Sequence, residues 1–183
     1  MAIIENPNKF ADKYRVSSSR RINWNYSTPG FYFITICTLN HNNFFGKIIN
    51  NQMELNQKGI NTNNCLIHLP IRFKNIVIHE SVIMPNHIHL LLELIQTNVN
   101  PVETHDRASL QIRYQSYHFH RLAIKSNQTI PKIINQFKSS VKRQCNQQNL
   151  FFAWQPRYHD IIIKDEKQYF TIKNYIQNNV STN

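Results

Sequence analysis

His87 and His89 are separated by one residue in Val82-Ile83-Met84-Pro85-Asn86-His87-Ile88-His89-Leu90-Leu91-Leu92, an apolar run that reads as a buried strand. Alternate residues of a strand share a face, so the two imidazoles project side by side, at a spacing where both reach one divalent ion, while Ile88 and Leu90 turn the other way. Tyr175 and Asn179 stand at i and i+4 in a terminal helix and so share a helical face. Asn179 offers a neutral oxygen suited to Mg²⁺ or Mn²⁺, and together with two imidazoles it leaves coordination positions open for phosphate oxygens and water. Tyr175 is then a phenol able to attack a bound phosphate. Each piece alone has a blander reading: a histidine on an apolar strand is more often packed in a core than ligated, and a lone tyrosine is more often an interfacial aromatic with a wet hydroxyl.

The elements that must position these residues are legible in outline. Phe31 to Thr38 is dense in β-branched and aromatic residues and predicts a strand. Phe44 to Ile49 and Met53 to Leu55 predict a hairpin across Asn50-Asn51, followed by a helix from Asn56 to about Leu69. Phe73 to Ser81 and Val82 to Leu94 read as two further strands, with a bulge or local edge expected at Met84-Pro85-Asn86 because Pro donates no ladder hydrogen bond. Ile130, Ile133, Ile134, Phe137 and Val141 recur at helical spacing, with Lys132, Lys138, Lys142 and Arg143 elsewhere around the helix. Arg157 to Lys164 predicts a last strand. Asp165, with Gln168 three residues on, marks the start of a helix to about Asn179. This order suggests an α+β fold, an antiparallel sheet of ferredoxin-like type with helices on one face.

Composition narrows the class. A chain of 183 residues is expected to form one domain, with 1–29 a basic leader and 96–127 an irregular connection. Lys and Arg total 21 against 10 Asp and Glu, a formal charge of +11 and a pI near 9.8. Such an excess favours a polyanionic partner, and nucleic acid over a membrane surface, since no long basic amphipathic helix or lipidation signal is present. Without a secretory h-region or a run long enough to span a bilayer, the protein is expected to be cytoplasmic. Cys37, Cys65 and Cys145 lack C-x-x-C spacing and read as reduced structural thiols.

Several segments, in order along the chain, together resemble the REP-associated tyrosine transposases, which are single-tyrosine HUH transposases. They are Phe31-Tyr32-Phe33-Ile34-Thr35-Ile36-Cys37-Thr38, Phe45-Gly46-Lys47-Ile48, Met84-Pro85-Asn86-His87-Ile88-His89, Gln136-Phe137-Lys138-Ser139, Trp154-Gln155-Pro156-Arg157-Tyr158-His159-Asp160 and Asn174-Tyr175-Ile176-Gln177-Asn178-Asn179. The resemblance spans Gly30 to Asn179, and departs from the family pattern where Val180 stands in place of the usual Pro. It implies a ferredoxin-like fold of HUH endonuclease type and a metal-dependent endonuclease and strand transferase acting on single-stranded DNA, at hairpin-forming repeats. By the same resemblance, His87 and His89 match the metal ligands, Asn179 the residue completing a Mg or Mn site, and Tyr175 the nucleophile that forms a 5′-phosphotyrosine intermediate. Relatives can build composite sites across a homodimer, which leaves the oligomeric state open.

Candidate phosphate contacts are Arg20, Arg21, Lys138, Lys142, Arg143 and Arg157, with Trp24 and Trp154 available to stack bases. A second H-x-H at His118 and His120, near Tyr114 and Tyr117, lacks the apolar strand. His159-Asp160 are neighbours on a strand and so point to opposite faces, which argues against a dyad. The alternatives to an enzyme of this kind are a non-catalytic nucleic-acid-binding protein and a nicking replication-initiator or relaxase relative.

Overall fold

Alternation along Gly30–Cys37 (β1) sends Tyr32, Ile34 and Ile36 into one core and Phe31 and Phe33 into another. A strand with two buried faces must therefore lie in the middle of the molecule. The computed structural model describes residues 21, 23–96 and 129–180. In it β1 is followed by a short 3₁₀ turn (Leu39–His41) and by the hairpin Gly46–Ile49 (β2) and Gln52–Leu55 (β3). Asn50 and Asn51 have φ of 49° and 58°, the pair of positive values that a two-residue type I′ turn requires. Helices Gln57–Ile67 (α1) and Leu69–Arg72 (α2) lead to strands Ile76–Ile83 (β4) and His87–Leu94 (β5). Helix Thr129–Gln147 (α3), strand His159–Ile162 (β6) and helix Glu166–Asn178 (α4) complete the described chain.

The main sheet has the order β4-β5-β1-β6 with every pairing antiparallel. Two crossovers, β1 to β4 through α1 and β5 to β6 through α3, give the ferredoxin-like arrangement. The expected fold class holds. Both crossover helices pack on one face: Ile133, Ile134, Phe137 and Val141 of α3 and Cys65 and Leu66 of α1 share a core with Tyr32, Ile34, Ile36, Ile88, Leu90 and Leu92. The expectation of helices on a single face needs one correction. Helix α4 packs alone on the opposite face, where Ile172 and Ile176 meet Leu91, Phe31 and Phe33. The reason is visible in β5, whose residues from Ile88 to Leu92 are all buried, the pattern of a strand covered on both sides.

Two further details differ from expectation. Met84-Pro85-Asn86 is the β4–β5 turn, closed by Met84 N–H donating to His87 O at 2.8 Å, and Pro85, lacking a donor, sits where no ladder bond is needed. The register irregularity falls instead between Ile78 and Glu80 on β4. Helix α4 begins as expected: the Asp165 carboxylate accepts from Gln168 N–H at 2.8 Å, while the Gln168 side chain reaches back to Lys164 N–H at 3.0 Å. Cys37, Cys65 and Cys145 are buried free thiols. Among the described residues no helix is long and apolar enough to cross a membrane.

Candidate active site

The face of the sheet covered by α4 brings His87, His89 and Tyr175 together. On β5, His87 and His89 point to this face with ring centroids 4.6 Å apart, as their spacing requires. Register sets their surroundings: Thr35 of β1 lies opposite His89, and Cys37 lies opposite His87. His89 is 6% exposed, and its Nδ1 is 2.9 Å from Thr35 Oγ1. Phe33 stacks on its ring at 5.1 Å. The Nδ1–H of His87 donates to Asn86 Oδ1 at 2.6 Å. An amide oxygen can only accept, so this bond leaves Nε2 of His87 with its lone pair outward.

Burial holds both imidazoles neutral. It pulls His89 down to about 4, helped by the neighbouring His87, and it lowers His87, helped by nearby His41. Neutral imidazole with Nδ1 occupied by an oxygen partner is the form that ligates a metal through Nε2. From α4 the Tyr175 hydroxyl comes to 3.3 Å from Nε2 of His89. Its ring also meets Phe33 edge-on at 6.1 Å. Tyr175 is 49% exposed, so the residue that meets the histidine is also open to solvent.

Asn179 is 2% exposed at the C-cap of α4, one turn beyond Tyr175. Among the described residues no group of three or more His, Cys, Asp or Glu side chains is arranged to hold a metal ion. An ion held by the two histidines would complete its shell from neutral oxygen donors, water or substrate, a donor set that fits Mg²⁺ or Mn²⁺.

Thr35, Asn86 and Phe33 shape this site and carry no such role in the sequence reading. Asn86 had a signal, being adjacent to His87. Thr35 and Phe33 had none, because their contact with His89 depends on strand register.

The basic residues expected to bind DNA are placed differently. Lys138 is turned inward: its Nζ donates to the carbonyls of Gln155 at 2.7 Å and Arg157 at 2.8 Å, and burial lowers its ammonium to about 8. It pins the segment before β6 to α3, so the protein's own carbonyls hold the ammonium where the sequence suggested a phosphate contact. Trp154 packs among Phe45, Phe137 and Phe152 and donates Nε1–H to Lys138 O at 3.0 Å, so its ring is committed to the core. Trp24 is half-buried beside Tyr32, with the Arg21 guanidinium 5.5 Å above its ring. Lys142 and Arg143 are exposed on α3. These residues lie on the α1–α3 side of the sheet, across from His89 and Tyr175. Arg157 is exposed in the loop before β6. Arg20 and the second motif at Tyr114, Tyr117, His118 and His120 lie outside the described residues, as do nearly all of the 96–127 connection and most of the 1–29 leader. Asp160 turns from the site to accept from Tyr26 O–H at 2.6 Å, so it and His159 do face opposite ways.

The ferredoxin-like sheet with its crossover helices has a counterpart among solved proteins. The fold is that of a REP-associated tyrosine transposase solved bound to a REP hairpin, with a TM-score of 0.56 and 16% identity, covering 90% of this chain and 72% of that one. The resemblance in the sequence thus holds at the level of the fold. The chain belongs to the same family as an uncharacterised protein of Haemophilus influenzae, to which it is 37% identical over 163 residues, 88% of this chain and 86% of that protein. A candidate transposase from Deinococcus radiodurans R1 aligns more loosely, with a TM-score of 0.44, 15% identity and coverage of 87% and 97%. No family model matches the sequence.

Proposed function

We propose that the protein is a transposase-like, single-tyrosine HUH endonuclease and strand transferase that acts on single-stranded DNA at hairpin-forming repeats. The observation that carries this reading is the approach of the Tyr175 hydroxyl to within 3.3 Å of His89 Nε2, with His87 beside it. A nucleic-acid-binding protein needs no such convergence of a phenol and two neutral imidazoles. The fold likeness to a transposase bound to a REP hairpin supports a DNA partner, as does a formal charge of +11.

His87, His89 and Asn179 would hold a divalent ion. When bound, a Mg²⁺ or Mn²⁺ ion supplies charge to a phosphate oxygen and to the leaving oxygen. The chain's own groups do the rest. Thr35 and Asn86 orient the two imidazoles through Nδ1, and Phe33 fixes the plane of His89 by stacking. The C-terminal half of α4 presents the Tyr175 oxygen beside them. The phenol gives its proton to solvent water, its oxygen forms a bond to phosphorus, and the bond from phosphorus to the 3′ oxygen breaks. That oxygen leaves as a 3′-hydroxyl after taking up a proton, and the 5′-phosphate stays on Tyr175. Because the phosphotyrosine conserves the ester bond, a second 3′-hydroxyl can reverse the step without ATP.

Incubation with end-labelled hairpin DNA carrying a single-stranded flank, in Mn²⁺, is expected to give an adduct stable to denaturing electrophoresis. Tyr175→Phe should abolish the adduct while leaving the fold intact, and His87→Ala should weaken or abolish it. An adduct that survived Tyr175→Phe would remove the proposed nucleophile. Tight DNA binding with no adduct in any divalent metal would instead establish a binding protein.

A further inference from the structure

Helix α4 packs against residues of β5, β1 and β4 and against Ile163 just past β6, but leaves His159 and Ile161 of β6 exposed. One flank is tied down over β4: Gln177 donates to Glu80 Oε1 at 2.7 Å, Lys173 lies 3.7 Å from the same carboxylate, and the Tyr169 hydroxyl is 3.1 Å from His79 Nδ1. Tyr175 leaves the helix from the other flank, over β1, where it meets Phe33. Beyond β1 the sheet ends at β6, an edge strand. Cross-strand partners share a face, so the register of Thr35 with both His89 and His159, and of Phe33 with both Leu91 and Ile161, puts His159 and Ile161 on the face of the site. The intervening Asp160 turns the other way to Tyr26. His159 is exposed and Ile161 is 47% exposed. His159, Thr35 and His89 form a row across three strands, which sets His159 roughly 10 Å from His89 at the usual strand spacing.

We propose that this open edge, through His159 and Ile161, seats the single-stranded DNA that flanks the phosphate attacked by Tyr175. The inference rests on the functional reading above and deepens it by naming where the strand runs. Tyr175 leaves α4 on the flank away from the β4 ties and lies over β1 and β5, and β6 is the next strand beyond β1, so a polymer that approaches Tyr175 from that open side passes over β6. Exposed Arg157 and Lys164 stand at either end of the strand, complementary to a phosphate backbone. The pair suits a nucleotide without sequence preference: an imidazole N–H donates to a phosphate oxygen, and the exposed isoleucine, continuous with Phe33, offers apolar contact to a base. The basic residues of α3 cannot serve here, since they lie across the sheet.

Opposite charges at one exposed position separate contact with DNA from damage to the fold. Anisotropy of a labelled single strand, without added metal, is expected to show Ile161→Asp binding roughly tenfold more weakly than the natural protein. Ile161→Lys should bind at least as tightly, with a steeper salt dependence, and His159→Ala should bind severalfold more weakly. Adduct formation in Mn²⁺ should follow the same order. Binding unchanged in Ile161→Asp and His159→Ala, alongside an intact adduct in the natural protein, would overturn this path while leaving the proposed chemistry standing. Equal loss in Ile161→Asp and Ile161→Lys would make Ile161 structural, and a change of oligomeric state without a change in DNA binding would make β6 an interface between copies; either overturns the proposal. A natural protein that bound no single strand would overturn both this path and the reading beneath it.

Discussion

At the scale of residues, the site depends on keeping two imidazoles neutral and aimed. Folding pulls His89 from its ordinary value of 6.5 to about 4, so between these values the unfolded chain carries a proton that the folded chain does not. Stability then rises with pH in that window. This group makes no demand above about pH 6.5, and its cost grows as pH falls towards 4, to roughly 3 kcal/mol. Urea denaturation of metal-free protein at pH 7 and pH 5 is expected to show about 2 kcal/mol of this loss, and His89→Gln should flatten it. Thr35→Val keeps the shape of the side chain but removes the oxygen that meets Nδ1 of His89. Calorimetric titration with Mn²⁺ should find affinity lower by about 10–100-fold; unchanged affinity would show that Thr35 has no part in aiming the ligand.

At the scale of elements, the proposed chemistry turns on α4, because that helix carries Tyr175. Its start is held by Asp165, whose carboxylate satisfies one of the N–H groups that a helix leaves open at its first turn. Asp165→Ala is expected to lower stability by about 1 kcal/mol, measured by denaturant titration, and to slow adduct formation as the Tyr175 helix frays. The strands contribute in another way. β5 tolerates a buried His89 and a half-buried His87 because one face of it is Ile88, Leu90 and Leu92, packed against α1 and α3. The other face, with Leu91, is closed by α4. The hairpin turn at Met84–Asn86 is fastened from outside: Thr38 N–H donates to Asn86 O at 2.9 Å, and Phe45 N–H donates to Pro85 O at 3.0 Å. That anchorage holds Asn86 where its side chain meets His87.

At the scale of the whole molecule, the basic surface of α3 and the histidine–tyrosine site are separated by the thickness of the sheet. Lys142 and Arg143 stand on the outer surface of α3, while Tyr175 and the histidines face the other way. Gln at both positions is expected to leave adduct formation on a short single strand unchanged, because such a strand has no reason to cross the sheet. Loss of adduct on that substrate would mean the strand wraps the edge. Lys138→Met should act as a structural change, lowering stability by about 1–2 kcal/mol through the two carbonyls left without their donor. It should leave the salt dependence of DNA binding as it is, in contrast to the slope of roughly −0.7 per phosphate neutralised on a single strand.

Much of this could be read from the chain itself, and the reason is locality. Strand alternation alone places His87 and His89 together, helical spacing alone puts Tyr175 and Asn179 on one face, and the Asp165 cap and the Asn50-Asn51 turn follow from short-range chemistry. Tertiary structure decided the rest. Parity along a strand does not say which partner residue lies opposite, so Thr35, Phe33, His159 and Ile161 joined the site only through register. Amphipathicity says that a helix has an apolar face, but not which side of the sheet receives it. It is this choice of layer that brings α4 to the histidines and carries the basic face of α3 away from them.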